Sequence, residues 1–466
     1  MDPATREWDV LVVGGGNAAL CAALSARQHA ARVLLLERAP EHLRGGNSRH
    51  TRNIRCAHPP GTPYTSGEYT EQELFEDLRA VGGDPPDPNL ADYAIRESRS
   101  TPDWMSEQGV RWQPPLSGTL QLGRTNRFFL GGGKALVNAY YETARRIGVE
   151  VRYNASVEDL RIEDGGFKAA SVRCGETQEW VRGRAVVVAA GGFEANLEWL
   201  GRYWGDAARN FIVRGTPYND GTALAILLRK GARTVGDPRG FHAIAVDARA
   251  PKFDGGIVTR LDAIPFGIVV NRLGRRFYDE GEDLWPKRYA SWGRLIAEQP
   301  GQIAYCIVDA KTFRRFLPPV YKPYETDSID ALADALELDR ADLGDTVRAY
   351  NRATEGNVHL RTDGLDGTRT RGLEPPKSNW AIPLDRPPFY GLPLRPGITF
   401  TYMGVAVDSA ARVLDQSGRP FKNVYAAGEI MSGNILSRGY LGGFGLTIGS
   451  VFGRLAGKEA AAHARP

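Results

Sequence analysis

Residues 8–37 constrain this chain more than any other stretch. Trp8 to Val13 (WDVLVV) reads as a buried strand, and Gly14-Gly15-Gly16-Asn17-Ala18-Ala19 follows at once. Leu20 to Ala31 reads as an alanine-rich helix, and Arg32 to Glu37 (RVLLLE) as a second buried strand ending in an acid. Strand, glycine turn, helix and strand within about thirty residues make a βαβ unit, which builds a doubly wound, mainly parallel sheet. Gly14 makes the tight turn. Gly16 lets the helix N-terminus meet a pyrophosphate through bare N–H groups, with Asn17 and Ala18 opening that helix. Ala19 takes the third glycine position, and Glu37 is placed to accept hydrogen bonds from both hydroxyls of an adenosine ribose. The unit reads as a dinucleotide site.

The fingerprint alone does not choose between nicotinamide and flavin. Arg44-Gly45-Gly46-Asn47-Ser48-Arg49 comes soon after the ribose acid, where a nicotinamide domain would continue its sheet. Far downstream, Asn423 to Glu429 (NVYAAGE) reads as a short strand ending in Gly-Glu, and Gly442 to Gly449 (GGFGLTIG) opens a helix. A nucleotide domain completed by the last forty or so residues is the FAD arrangement. At 466 residues the chain also has room for two or three domains.

Charge excludes one class of partner. The 59 basic and 55 acidic residues are interspersed, so no nucleic-acid footprint is expected. The four cysteines, Cys21, Cys56, Cys174 and Cys306, are scattered without metal or cluster spacing, so no metal is expected. The polar opening (MDPATRE) is no signal sequence, and no apolar run is long enough for a bilayer. A cytoplasmic protein is the expectation.

These motifs give the chain a resemblance to the flavoprotein family of fumarate reductase, succinate dehydrogenase, aspartate oxidase and ketosteroid dehydrogenase. It rests on the opening fingerprint, Gly45-Gly46-Asn47-Ser48, Ala189 to Phe193 (AAGGF), Asn219-Asp220-Gly221, Asn271 to Phe277 (NRLGRRF) and Tyr425 to Glu429 (YAAGE). Within the family the chain is most similar to the members that oxidise tricarballylate to cis-aconitate. The shorter motifs carrying that likeness are Arg49 to Asn53 (RHTRN), Trp285 to Ala290 (WPKRYA) and Ser437 to Leu441 (SRGYL). Fumarate reductase-like or ketosteroid dehydrogenase-like chemistry, or a flavin-binding electron-relay subunit, are the alternatives.

The resemblance implies an α/β fold: a discontinuous Rossmann-like FAD-binding domain, residues 1–237 and 389–466, with an inserted α+β capping domain, residues 238–388. Glu37 and Arg38 would lie at the adenosine, Val157 would meet the adenine through its backbone, and Ala190 and Gly191 would lie near the nucleotide. Asn47 and Ser48 would flank the pyrophosphate and flavin. Asp220 and Glu429 would bind the flavin side, while Gly445 and Leu446 would offer backbone contacts to the ring. The Gly-Gly-Asn context implies non-covalent FAD, although His50 lies near where succinate dehydrogenases attach theirs.

Catalytic expectations follow from the same source. Arg288 would move the substrate proton, relayed to solvent through Glu280 or Glu282. His242 would bind a substrate carboxylate. A second family histidine is missing, with Phe400, Thr401 and Tyr402 in its region, so Tyr402 is a replacement donor. The family arginine before Leu-Gly-Gly is here Tyr440, so Arg438, two residues earlier, is expected to reach the carboxylate with Tyr440 beside it. Arg49, His50, Arg52 and Arg55 crowd the segment after the flavin turn, and arginine forks match carboxylates in pairs. The expected substrate is a small di- or tricarboxylic acid. The expected oxidant is a membrane-associated electron-transfer protein, which would hold this chain at the inner face of a membrane.

Overall fold

Val10 to Val13 and Val33 to Leu36 are uninterrupted apolar runs, as strands buried on both faces require. In the computed structural model, which describes residues 7–115, 122–255, 259–362 and 364–465, they pair in parallel from Val10 opposite Val33 to Val13 opposite Leu36. The end of strand Thr177–Val188 runs parallel on the other side, and Pro420–Ala426 lies beyond it. Glu150–Arg152 extends the opposite edge. Strands Ala155–Glu163 and Gly166–Cys174 form an antiparallel meander that feeds into Thr177–Val188. One sheet thus joins the beginning, middle and end of the chain in an α/β domain that carries a cap.

Two helices seal that union. Asn17–Gln28 and Phe444–Ala464 pack against each other, and the second presents small residues at four-residue spacing. A Cβ at Gly453 would stand 2.5 Å from the Ala18 carbonyl oxygen, and one at Gly457 would stand 2.2 Å from that of Ala22. Only glycine allows this separation. The fingerprint helix starts at Asn17 rather than Leu20 and ends at Gln28, because the helix begins directly on the glycine turn.

The cap is a second sheet centred on Phe389–Thr401, a thirteen-residue strand. The sequence reads the region from Pro375 to Pro396 as an irregular return segment, since proline cannot donate to a ladder. Pro393 and Pro396 survive inside the strand because neither is called on to donate: Pro393 lies opposite Tyr305 and accepts the Ala248 amide, and Pro396 lies opposite Ala245. The sheet also takes in Ile212–Arg214, parallel to Gly397 and Ile398. Its hydrogen bonds therefore cross both boundaries of the 238–388 division, and the cap sheet begins at Ile212 and ends at Thr401. No helix among the described residues is long and apolar enough to cross a membrane.

Candidate active site

The carboxyl ends of four parallel strands meet at one cleft, where open α/β sheets place their ligands. Val13 to Ala18, Leu36 to Ala39, Ala189 to Gly191 and Ala427 to Glu429 form its walls, while Thr399 and Phe400 come from the cap strand. It encloses about 1220 Å³ of empty space, mouth included. Every residue assigned to the dinucleotide from the sequence lines it. The glycines are structural necessities: a Cβ at Gly14 would lie 2.5 Å from the Ala189 carbonyl oxygen, and one at Gly15 would lie 2.0 Å from Glu37 Oε2. Helix amides at one side and a buried carboxylate at the other are a donor and acceptor set that fits FAD.

At the end expected to take the adenosine, Glu37 is buried and accepts the Ala39 amide at 2.9 Å. Burial pushes its carboxyl up, opposed by the amides of Ala39, Gly45 and Arg38. Asp220, expected beside the flavin, stands at this end instead. It forms a 2.6 Å ion pair with Arg38, the neighbour of Glu37, and accepts the Thr222 amide and hydroxyl. Burial raises its carboxyl, but Arg38 and Thr222 together hold it below the usual range.

In the middle, the Asn17 amide donates to Ser48 Oγ at 3.0 Å. The Asn17 side chain turns away, donating to the Leu446 carbonyl and Ser450 Oγ, and so ties the fingerprint helix to the last helix. Asn47 sits at the start of a short 3-10 turn, Gly46–His50, entered through left-handed Gly45. Its Nδ2 donates to Glu194 Oε1 at 2.6 Å and to the Thr399 carbonyl at 2.8 Å, while its Oδ1 accepts the Thr216 amide at 2.8 Å.

The far end departs most from expectation. The Gly445 amide, expected on the flavin ring, donates to the Tyr440 hydroxyl at 2.9 Å. Leu446 remains in the first turn, where amides lie outside the helix's own ladder. His242 stacks face to face on Tyr440, 3.9 Å between centroids, and its buried Nδ1 has no partner among the described residues. Burial first, then the Arg214 charge, hold this imidazole well below its usual range, so it is neutral.

Three catalytic expectations are corrected. Arg438 is exposed and lies over Gly83, because the Ser437–Gly439 backbone turns outward and Ser437 caps Gly82. Tyr402 is fully buried and donates to the Gly439 carbonyl at 3.0 Å; it supports the loop carrying Tyr440 from beneath, off the cleft wall. Glu280 is not a relay acid: it receives Arg276 at 2.5 Å and the Val269 amide at 2.8 Å. Arg288 pairs with Glu282 at 2.9 Å, Glu282 accepts the Tyr278 hydroxyl at 2.8 Å, and the buried Arg288 Nε has no partner among the described residues. Arg288 is not a wall of the cleft.

The cations that gather near Tyr440 are others. Arg214 Nη1 donates to Thr399 Oγ1, on the cleft wall, at 3.2 Å. Burial, then Arg260, bring Arg214 down to about 10; burial, then Arg260, do the same for Arg52. Arg260 pairs with Asp262 at 2.6 Å and stacks over Tyr289. His50, from the same turn as Asn47, is pushed down to about 4 by burial, Arg49 and Arg214. Arg55 leaves the cluster: it is buried in the core, donating to the Gly442 carbonyl and Tyr69. Arg214, Arg260, Tyr289 and Glu194 were missed by the sequence reading. Tyr289 lies inside the motif Trp285 to Ala290 and Glu194 one residue past Ala189 to Phe193; Arg214 and Arg260 lie in no recognised motif.

A family model described as "FAD binding domain" matches residues 9–446. A probable fumarate reductase of Shewanella frigidimarina is 27% identical over 471 residues, covering 98% of this chain and 75% of that protein. An NADH:fumarate oxidoreductase of Klebsiella pneumoniae is 26% identical over 480 residues; this chain, matched over its whole length, spans about half of it, 48%. Among solved structures, the 3-ketosteroid-delta4-(5alpha)-dehydrogenase of Rhodococcus jostii superposes with a TM-score of 0.75 at 23% identity, over 99% of this chain and 98% of that one.

Proposed function

This chain belongs to the FAD binding domain family and is an FAD-dependent oxidoreductase acting on CH–CH groups, and we propose that its substrate is a small acid with carboxylates flanking that bond, tricarballylate above all. The observation that carries the reading is the convergence of Arg52, Arg214 and Arg260 at the Tyr440 end of the cleft. Cations this close repel one another, and an anion between them relieves that repulsion.

When bound, FAD would supply a hydride acceptor for a substrate carbon next to a carboxylate. Glu37, Asn47, Ser48 and the helix amides at Gly16 would hold it without a covalent bond. Arg214 and Arg52 hold the acid's carboxylates, and Tyr440, backed by neutral His242, presents a hydroxyl at the same place. The acid loses a hydride from one carbon and a proton from the next, giving cis-aconitate from tricarballylate. Arg288 is the group assigned to that proton. A guanidinium is a weak base in water, so its pairing with Glu282 and Tyr278 matters as the route onward. The cap sheet covers this end and excludes water, which strengthens each charge interaction. Electrons then pass to an outside carrier, for which a membrane-associated protein is the proposed oxidant.

A second reading, fumarate reduction, is favoured by the relatives' names. Anaerobic mixing of the yellow protein with di- and tricarboxylic acids separates the two. Rapid loss of flavin absorbance with tricarballylate supports oxidation of that acid. Reoxidation of the dithionite-reduced protein by fumarate, with no bleaching by tricarballylate, would replace it with the second reading.

A further inference from the structure

Glu194 is completely buried, and nothing in the chemistry above uses it. Its Oε1 accepts Nδ2 of Asn47 at 2.6 Å and Nδ2 of Asn219 at 2.8 Å, and both asparagines line the cleft. Its Oε2 is buried without a hydrogen-bond partner among the described residues if both neighbouring acids are ionised. The neighbour is Glu429, a cleft wall residue, whose Oε1 accepts the Thr401 amide at 2.7 Å and the Thr401 hydroxyl at 3.1 Å. A Cβ on Gly192 would stand 2.1 Å from that same Oε1, so Glu429 packs directly on Gly192, where only glycine leaves it room.

Two carboxylates in contact in a dry site cannot both ionise. A proton between Glu194 and Glu429 gives the orphaned oxygen its partner and removes the repulsion. We propose that Glu194 and Glu429 share one proton, and that Glu194 is a positioning residue through which this proton keeps Asn47, Asn219 and Glu429 arranged for FAD. When the proton leaves, the acids part and Asn47 loses its acceptor. With it goes the bridge from Asn47 to Thr216 and Thr399 that closes the cleft wall.

Burial first, then the Glu429 charge, raise the Glu194 carboxyl well above its usual range. The titratable group facing Glu429 from the other side is Tyr440, which burial pushes far above its usual range. On the Asn219 side stands the Arg38–Asp220 ion pair, whose Asp220 is held below its usual range. Neither changes charge in the alkaline window, so the acid pair is the group that titrates there. The inference rests on FAD occupying this cleft.

The test follows FAD release from the holoenzyme, by the fluorescence of free FAD, from pH 6 to 9.5. The wild type is expected to show a dissociation constant for FAD that climbs toward about tenfold per pH unit once the pair ionises. Glu194→Gln keeps an oxygen for both asparagines and offers an N–H to Glu429, mimicking the protonated pair. Its FAD affinity is expected to stay flat. Calorimetry in two buffers of different ionisation heat should show the wild type taking up close to one proton on binding FAD in the alkaline part of the range. Parallel profiles for wild type and Glu194→Gln overturn the proposal. So does a wild type that takes up no proton, whether or not the variant folds. A protein that binds FAD at no pH overturns the cofactor assignment instead.

Discussion

Replacing Arg214 by methionine isolates the cationic end of the cleft from the cofactor end. Arg214 reaches the wall through Thr399 Oγ1 at 3.2 Å and is partly buried, so its loss exposes a substrate carboxylate to a cavity without its fork. Truncating one partner of a hydrogen-bonded charge pair costs about 2–5 kcal/mol when buried, and a partly buried site belongs in the lower part, about 2–4 kcal/mol. At 1.36 kcal/mol per tenfold, the dissociation constant for the acid should rise roughly 30- to 1,000-fold. Opposing this, the variant loses a cation that burial and Arg260 already disfavour, so the fold and bound FAD should survive. Stopped-flow bleaching of the flavin across an acid titration yields the dissociation constant and the limiting rate separately. A binding change under threefold, or a loss confined to FAD affinity, would refute the assignment of Arg214 to the substrate.

Arg438→Ala should bind and oxidise the acid within about twofold of wild type, since Arg438 is exposed over Gly83; a large loss in the same titration would return it to the site. Arg288→Lys keeps a cation but loses the planar fork, so the limiting rate of flavin reduction should fall tenfold or more with little change in binding; an unchanged rate moves the proton step to Tyr440. Glu37→Leu strands the Ala39 amide and removes the acceptor for both ribose hydroxyls, so FAD should bind about 10- to 100-fold more weakly by fluorescence titration. His50, pushed down to about 4, is neutral above pH 5, so the reduction rate should show no inflection near the ordinary histidine value between pH 5.5 and 7.5.

What the sequence reveals divides by the range of the interaction that matters. The dinucleotide wall is legible because a βαβ turn is local: Gly14, Gly16 and Glu37 take their roles from neighbours within thirty residues. The cap strand Phe389–Thr401 is not, because local composition argues against a strand and only pairing with distant strands, which asks no donor of Pro393 or Pro396, permits it. Arg438 and Arg214 show the same limit within one site. Arg214 ends a short apolar strand and Arg438 sits in a Ser-Arg-Gly turn, and nothing near Arg214 in sequence says that it meets Thr399, 185 residues away. Asp220 is a similar case: its motif is recognisable, yet its place beside Glu37 is set by Arg38, in the loop after strand Val33–Leu36.

The two charge clusters make opposite demands on one cleft, which explains why they are kept apart. At the Tyr440 end, Arg52 and Arg214 are each pushed toward deprotonation by burial and by the Arg260 charge, so an incoming carboxylate is the stabilising partner. In the middle, Glu194 is pushed toward protonation by burial and by the Glu429 charge, and Glu429 by burial, so their stabilising partner is a proton. Were the arginines to reach the acids, both would ionise as salt bridges and the substrate would have to compete with a fixed internal anion. Asn47, Thr399 and Thr401 prevent this by satisfying the acids and one arginine with neutral groups. The sign of the Glu194→Gln effect on the protein without FAD follows. The native pair retains a proton that an unfolded glutamate releases above about pH 4.3, so wild-type stability falls as pH rises from there toward the raised native value. The variant carries no such proton, and its melting temperature should gain on the wild type steadily from pH 5 to 9. A constant difference across that range would mean that the two acids do not share a proton at all.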